Sequence, residues 1–150
     1  MERIPQQDVS KQVYGQLLAI EGYIRTTGFD HKLLELMRFR VSLINNCAYC
    51  LDMHFKEAVH AGEDPKRLYS LSAWRETPYY TEEEQAILEF AEALTLVSNH
   101  GVSDAIFERM SQHFSTKQIA DLTIAVIQIN SWNRLTNVTR MEPGNYVVQG

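Results

Sequence analysis

Apolar residues recur every three or four positions along most of this chain, which is the spacing of one face of an α-helix. Over residues 8–26, for example, these positions are Val13, Leu17, Ile20 and Ile24. Val, Ile and Thr nowhere alternate with polar residues over the length of a strand. The prolines fall outside the periodic segments, at positions 5, 65, 78 and 143. The pattern therefore predicts an all-α fold.

Capping residues and glycines set the expected ends of these helices. Thr81 with Glu84, and Ser115 with Gln118, form capping boxes, in which each side chain bonds the backbone of the other residue. Gly62 suits the end of the third helix, because glycine readily adopts the left-handed conformation found there. The predicted helices cover about residues 8–26, 30–44, 47–60, 65–71, 82–98, 104–113 and 116–137. Residues 138–150 are expected to form an extended tail that docks on a neighbouring subunit.

The last predicted helix is apolar on most of its sides. Its main stripe runs from Ile119 to Ile129, and Ile124, Ile127 and Leu135 lie off that stripe. A helix with this pattern must be buried on most sides. Two interpretations follow: it is the central helix of the core, or part of its surface meets another subunit. The sequence favours neither.

Length and charge exclude several classes of function. A chain of 150 residues is expected to form one domain with a core large enough to need no structural disulfides. A net charge of -5 argues against nucleic acid, and the absence of a Lys/Arg run argues against a membrane surface. No apolar signal core and no membrane-length apolar stretch occur, so the chain is predicted to be cytoplasmic.

The two cysteines, Cys47 and Cys50, stand three residues apart, with His54 four residues further on. In a reducing compartment such a pair is more often catalytic or metal-binding than structural. With about 100° per helical residue, all three side chains fall on one face of the third helix. The positive end of the helix dipole favours thiolates and lowers their pKa. His54 is placed to take the proton of Cys50, directly or through water.

A narrow polar stripe, formed by Glu35, Arg38 and Ser42, crosses the otherwise apolar second helix. A carboxylate on a mostly buried helix is costly unless it is paired or protonated. We expect burial to raise the pKa of Glu35 toward a value useful for a general base. The alternative is an ion pair between Glu35 and Arg38 with no further role.

Structural zinc is the main alternative for the cysteine pair. Zinc prefers four protein ligands in such sites, and Cys47, Cys50 and His54 supply three. The remaining histidines stand at no ligand spacing from them: His31, His60, His100 and His113. The sequence therefore predicts neither a metal site nor a cofactor.

The polar residues of this region together resemble the core of AhpD-like proteins, which belong to the carboxymuconolactone decarboxylase superfamily. The residues that carry the resemblance are Glu35, Arg38, Ser42, Asn45, Asn46, Cys47, Tyr49, Cys50, His54, Ala58 and Gly62. Later segments are also similar to single-domain members: Trp74, Thr81–Glu84, His100–Ser103 and Asn130–Leu135. The resemblance covers most of the chain. It implies one AhpD-like domain over residues 1–150, with the redox core at about 30–62 and the tail at 138–150.

The resemblance also implies an activity and an assembly. The fold would be a helical bundle that forms homotrimers or hexamers, and the activity a peroxidase that uses both cysteines. In the family's scheme Cys50 attacks the peroxide, Cys47 resolves the product into a disulfide, and Glu35 acts as base through a relay that includes His54. The best-studied members have histidine where this chain has Tyr49, whose ordinary pKa near 10 makes it a poorer proton shuttle.

The predicted function is therefore a thiol-dependent reductase of organic hydroperoxides in antioxidant defence, recycled by an external dithiol. Tyr49, Arg38 and Ser42 are candidates for the proton relay or the pocket. Two alternatives stay open. Decarboxylation of a lactone ring acid has no evident need for two cysteines, whereas a non-catalytic redox sensor or oligomeric module would use them without turnover.

Overall fold

The structure is a computed structural model that describes residues 1–149, within which the chain forms seven α-helices and no strand. The helices are α1 (Lys11–Thr26), α2 (His31–Ile44), α3 (Ala48–His60), α4 (Pro65–Tyr69), α5 (Glu82–Thr95), α6 (Asp104–Ser111) and α7 (Thr116–Thr139). Two short 3-10 helices cover Gln6–Asp8 and Ser70–Glu76. The prediction of a single all-α domain is confirmed. Gly150, the last residue of the predicted tail, lies outside the described residues.

Helix ends differ from the predictions by a few residues, each for a local reason. Helix α1 begins after Ser10, whose side chain accepts a hydrogen bond from the backbone of Val13. The fourth predicted helix, at about 65–71, is α-helical only to Tyr69, and the second 3-10 helix begins at Ser70. Helix α7 runs past the predicted end to Thr139, where Arg140 stops it in the left-handed conformation. Both predicted capping boxes are present.

The start of α3 is fixed by the turn that precedes it. Asn46 adopts a positive φ of 51°, a conformation that asparagine tolerates better than most residues. Cys47 follows as the N-cap, and its Sγ accepts a hydrogen bond from the backbone of Cys50. Gly62, with φ of 89°, follows the helix end as expected. The turn therefore places both sulfurs at the N-terminus of α3.

Helix α2 lies at the centre of the molecule and packs against α3, α5 and α7. One hydrophobic cluster gathers side chains from α1, α2, α5, α6 and α7, and a second surrounds Trp74. Helix α7 packs against α1, α2, α3, α5 and α6, so it is a core helix. It nevertheless leaves Ile124 and Ile127 exposed, at 39% and 49%.

Both ends of the chain fold back onto the bundle. The backbone N–H groups of Arg3 and Ile4 donate to the carbonyl of Thr139. After α7, Lys56 of α3 donates to the carbonyls of Gly144 and Tyr146, at 3.1 and 3.0 Å. Residues 144–146 therefore bind their own chain, and docking of the tail on a neighbouring subunit stays a prediction. Within residues 1–149, no helix has the length and apolar character that crossing a membrane requires.

Candidate active site

The cysteine pair forms a disulfide at the N-terminus of α3. The Cα atoms of Cys47 and Cys50 are 5.3 Å apart, and the backbone N–H of Cys50 donates to the Sγ of Cys47 at 3.3 Å. Both residues are buried, with exposed fractions of 1% and 3%. The helix turn thus holds the two sulfurs at bonding distance, as a redox-active pair requires.

The hydroxyl of Thr136 lies against both sulfurs. Its Oγ1 is 2.9 Å from the Sγ of Cys47 and 3.2 Å from the Sγ of Cys50. The same hydroxyl donates to the carbonyl of Trp132 one turn earlier in α7, at 2.8 Å. Helix α7 therefore places a buried hydroxyl beside the reactive sulfurs. Once the disulfide is reduced, this hydroxyl can accept a hydrogen bond from a thiol, or turn its one proton from the Trp132 carbonyl to a thiolate.

A connected set of charged side chains lies beside the pair. The Oε2 of Glu35 is 2.6 Å from the Nδ1 of His54, and its Oε1 accepts from Arg38 at 2.7 Å. Arg38 also donates to Glu21 of α1 at 2.8 Å, and Trp132 donates to the other oxygen of Glu21 at 2.9 Å. Glu35, Arg38 and His54 are buried, Glu21 and Trp132 are partly buried, and the set joins helices α1, α2, α3 and α7.

The pKa of Glu35 moves opposite to the prediction. Burial alone raises it, but the contacts with His54 and Arg38 outweigh burial and lower the pKa from 4.5 to about 2. The carboxylate is therefore ionised at neutral pH and is a weak base on its own. The expected Glu35–Arg38 ion pair is present, and the same carboxylate also holds His54.

A largely apolar cavity of about 420 Å³ opens onto Cys50, and we call it the Cys50 cavity. Glu35, Arg38, Tyr49 and His54 also border it. Its apolar wall comes from helices α1, α2, α3 and α7 and from the chain ends, including Leu18, Phe29, Leu34, Met53, Leu135 and Met141. Its volume lies in the range of small-molecule sites, which supports a small apolar substrate.

The remaining predicted site residues divide into two groups. Tyr49 borders the Cys50 cavity, and burial, with Tyr14 and Asp52 nearby, raises its pKa, so it stays protonated at neutral pH. Ser42 is fully buried and accepts a hydrogen bond from Asn133, away from the cavity lining. The structure shows no hydrogen bond between His54 and Cys50, although both border the same cavity.

Sequence reasoning missed Thr136 and Glu21. A signal for the first was available, since Asn133 and Thr136 extend the three- and four-residue spacing of the apolar stripe with polar side chains. Glu21 gave no such signal, because a glutamate on a surface helix is ordinary. Within residues 1–149, no three His, Cys, Asp or Glu side chains are grouped so that they could hold a metal ion.

A model of the carboxymuconolactone decarboxylase family matches residues 11–93. The chain belongs to this family. The match includes the whole Glu35–His54 segment, and it shows that the sequence resemblance was correct.

Individual relatives extend the family likeness over nearly the whole chain. The uncharacterized protein YdfG of Bacillus subtilis is 35% identical over 135 residues, which cover 90% of this chain and 92% of YdfG. A crystal structure from Agrobacterium tumefaciens, described as a protein of unknown function and a candidate antioxidant defence protein AhpD, has a TM-score of 0.92. It is 36% identical, covering 97% of this chain and 100% of that one.

A more distant structure shares the fold. An uncharacterized peroxidase-related protein from Ralstonia eutropha, described as an alkylhydroperoxidase AhpD core, has a TM-score of 0.78 at 20% identity. The alignment covers 89% of this chain and 72% of that one. An AhpD-like fold with a Cys47–Cys50 pair fits a family member in antioxidant defence.

Proposed function

We propose that this protein reduces organic hydroperoxides with the Cys47–Cys50 pair. The observation that carries the proposal is that one sulfur of a buried, closable pair borders an apolar cavity that also contains the Glu35–His54 contact. An apolar cavity favours a hydroperoxide with a hydrocarbon group over hydrogen peroxide, because burial of apolar surface stabilises the complex.

Glu35 and His54 divide the proton transfer between them. The ionised carboxylate accepts a hydrogen bond from Nδ1 of His54, which leaves Nε2 as the ring nitrogen that can take or give a proton. His54 takes the proton of the Cys50 thiol, and the charge of Glu35 stabilises the resulting imidazolium. Glu35 thus supports the base rather than serving as one alone.

The cycle then needs three steps. The Cys50 thiolate attacks the terminal oxygen of the hydroperoxide, the O–O bond breaks, and the alkoxide takes the proton from His54 to leave as an alcohol. Cys47 loses its proton and attacks the sulfur of the Cys50 sulfenic acid. The S–S bond forms as the S–O bond breaks, and the departing hydroxide takes the Cys47 proton and leaves as water. An external dithiol then returns two electrons and two protons by thiol–disulfide exchange.

The proposal includes a homo-oligomeric assembly and a cytoplasmic location. The exposed Ile124 and Ile127 on a core helix support a homo-oligomer, a trimer or hexamer by likeness to the family. We propose a cytoplasmic location, where thiol reductants keep such a pair supplied with electrons.

The test is a single turnover of reduced protein with excess cumene hydroperoxide. Peroxide loss is followed by stopped flow and the protein by intact mass. We expect fast loss of one peroxide per chain and a mass decrease of two hydrogen atoms. Cys50→Ser should prevent both changes, and Cys47→Ser should stop at a sulfenic acid. Oxidation no faster than that of a free thiol would reject the proposal and favour a redox sensor.

A further inference from the structure

The two sulfurs of the disulfide border different concave sites. Cys50 lines the Cys50 cavity, whereas Cys47 lines a separate pocket of about 490 Å³, which we call the Cys47 pocket. The Cys47 pocket lies between the first residues of the chain, the turn before α3 and the residues that follow α7. Tyr49, Thr136 and Met141 border both sites, which therefore lie next to each other.

The Cys47 pocket is locally cationic in an acidic protein. Arg3 and Arg140 both line it and are exposed, and neither guanidinium forms an ion pair within residues 1–149. The acidic residue of the lining, Glu142, is paired with the N-terminal ammonium group at 3.2 Å. Because the whole chain carries a net charge of -5, these two guanidinium groups in the pocket that Cys47 lines favour an anion there.

Size restricts what can enter. Cys47 is only 1% exposed, so a thiol fixed on a flat protein surface cannot reach its sulfur. A pocket of this volume is in the range of small-molecule sites. The reagent that the cysteine chemistry requires at this sulfur is a thiol, since the disulfide must be reduced.

We propose that the Cys47 pocket admits a small thiol that carries carboxylate groups, and that this thiol attacks Cys47 rather than Cys50. The inference rests on the peroxidase cycle proposed above, for which it names the chemical class and entry route of the reductant. Hydroperoxide and reductant then use separate sites and do not compete.

Reduction of the disulfide takes two thiol–disulfide exchanges. The reductant thiolate attacks the Sγ of Cys47, a new S–S bond forms, and Cys50 leaves as a thiolate, which the N-terminus of α3 stabilises. A second thiolate, from the same or another reductant molecule, attacks the reductant sulfur of this mixed disulfide. Cys47 is released as a thiolate, both cysteines take up protons, and the reductant is oxidised to its disulfide by two electrons.

Proteins with a single cysteine test this route. When the remaining thiolate attacks a small disulfide, it forms a mixed disulfide, which is the reverse of the second exchange, and the probe must enter through the same pocket. Cys50→Ser leaves Cys47 as the only thiol, and Cys47→Ser leaves Cys50. Each is mixed with dithiobis(nitrobenzoate), which carries two carboxylates, and with dithiodipyridine, which is neutral. The rates are measured again after Arg3→Glu and Arg140→Glu are added. Lys66→Glu serves as the charge-reversal control, because Lys66 is exposed on α4 and lines neither site.

We expect the two added charge reversals to slow the dianionic probe at Cys47 by about tenfold or more, which is a typical size for electrostatic steering. The neutral probe at Cys47, and both probes at Cys50, should change by less than about twofold. The neutral probe also reveals a variant that has merely misfolded. An equal change with both probes at Cys47, or a charge effect at Cys50 instead, would overturn the proposal, and the second result would place the reductant in the Cys50 cavity.

Failure here is distinguishable from failure of the peroxidase. The single turnover with cumene hydroperoxide starts from reduced protein and needs no reductant. A fast turnover combined with no charge effect at Cys47 would reject only the entry route, and would favour a protein reductant that rearranges the chain ends. A slow turnover combined with a clear charge effect would reject the peroxidase and keep the Cys47 pocket as a site for anionic thiols, as a redox sensor would use.

Discussion

Glu35 contacts His54 through one carboxylate oxygen, at 2.6 Å, and Arg38 through the other, at 2.7 Å. An ion pair and a role beside the histidine were expected to exclude each other, but two oxygens allow both contacts. The shared carboxylate holds the imidazole ring with Nδ1 toward Glu35. Arg38 also donates to Glu21 of α1, so the guanidinium that binds Glu35 is itself held in place. The Glu35 carboxylate is thereby fixed beside His54 and restricts the orientation of the ring.

We predict that Glu35→Gln slows oxidation of the reduced protein by cumene hydroperoxide by about 10²-fold or more. The amide keeps the shape but removes the charge that stabilises protonated His54. The measurement is the single-turnover rate across the neutral pH range, with Glu57→Gln, at the cavity edge, as a comparison. An unchanged rate would make Glu35 a purely structural partner of Arg38.

Acid stability provides an independent test of the same carboxylate. The pKa of Glu35 is about 2 in the fold, below its ordinary value of 4.5, so the folded state binds this proton less readily than the unfolded chain. Its stabilising contribution is complete above pH 4.5 and is lost as the pH falls toward 2.

Urea midpoints of the wild type and Glu35→Gln, measured at about pH 6 and about pH 3, check this sign. We expect the stability difference between the two proteins to shrink at the lower pH, since at about pH 3 the unfolded wild type binds a proton at Glu35 that the folded protein, with a pKa of about 2, largely does not bind. A difference that is equal at both pH values would mean that Glu35 titrates normally in the fold.

The sequence was sufficient to predict the order of the helices and the cysteine pair. Spacing, capping boxes and Gly62 predicted the helix order, and the cysteine spacing at a helix start predicted a pair that can close. These features are local, so they depend on residues within one or two turns. Helix ends were less certain, because caps such as Ser10 and Arg140 compete with neighbouring candidates.

The pKa of Glu35 was predicted wrongly for a non-local reason. Burial was visible in the pattern of α2, but the sign depends on His54, nineteen residues away, approaching to 2.6 Å. Glu21 and Thr136 reach the site from α1 and α7, so only tertiary packing reveals them. The cavity likewise exists only where four helices and both chain ends meet.

Thr136 is expected to tune the thiols. When the Thr136 hydroxyl turns its one proton from the Trp132 carbonyl to a thiolate, it exchanges a neutral hydrogen bond for one to a charged group, worth about 1.5–3 kcal/mol. Thr136→Val should therefore raise the pKa of the reactive thiol by about one unit. Thr136→Ser keeps the hydroxyl and should restore most of the effect. The pH dependence of iodoacetamide alkylation measures both. Identical profiles for Val and wild type would show that the hydroxyl does not bond the thiolate.

The exposed face of α7 is expected to bury itself against another copy of the chain. Ile127 is 49% exposed on a helix that is otherwise a core helix, so Ile127→Glu should yield smaller assemblies. Light scattering after size exclusion measures the mass, with Val97→Glu as the control at a residue 56% exposed beyond α5. Equal masses for both variants and wild type would place any subunit contact elsewhere.

The hydrogen bond from Thr136 to the carbonyl of Trp132 places a fluorescent residue close to the disulfide. The indole of Trp132 borders the Cys50 cavity, one helical turn from a hydroxyl that contacts both sulfurs. Disulfides quench indole emission at short range, so the fluorescence of Trp132 should brighten on reduction and respond when a molecule fills the cavity. The other tryptophan, Trp74, lies in the second hydrophobic cluster. Replacing Trp74 with phenylalanine would leave Trp132 as the single tryptophan, whose fluorescence would follow the redox cycle in real time.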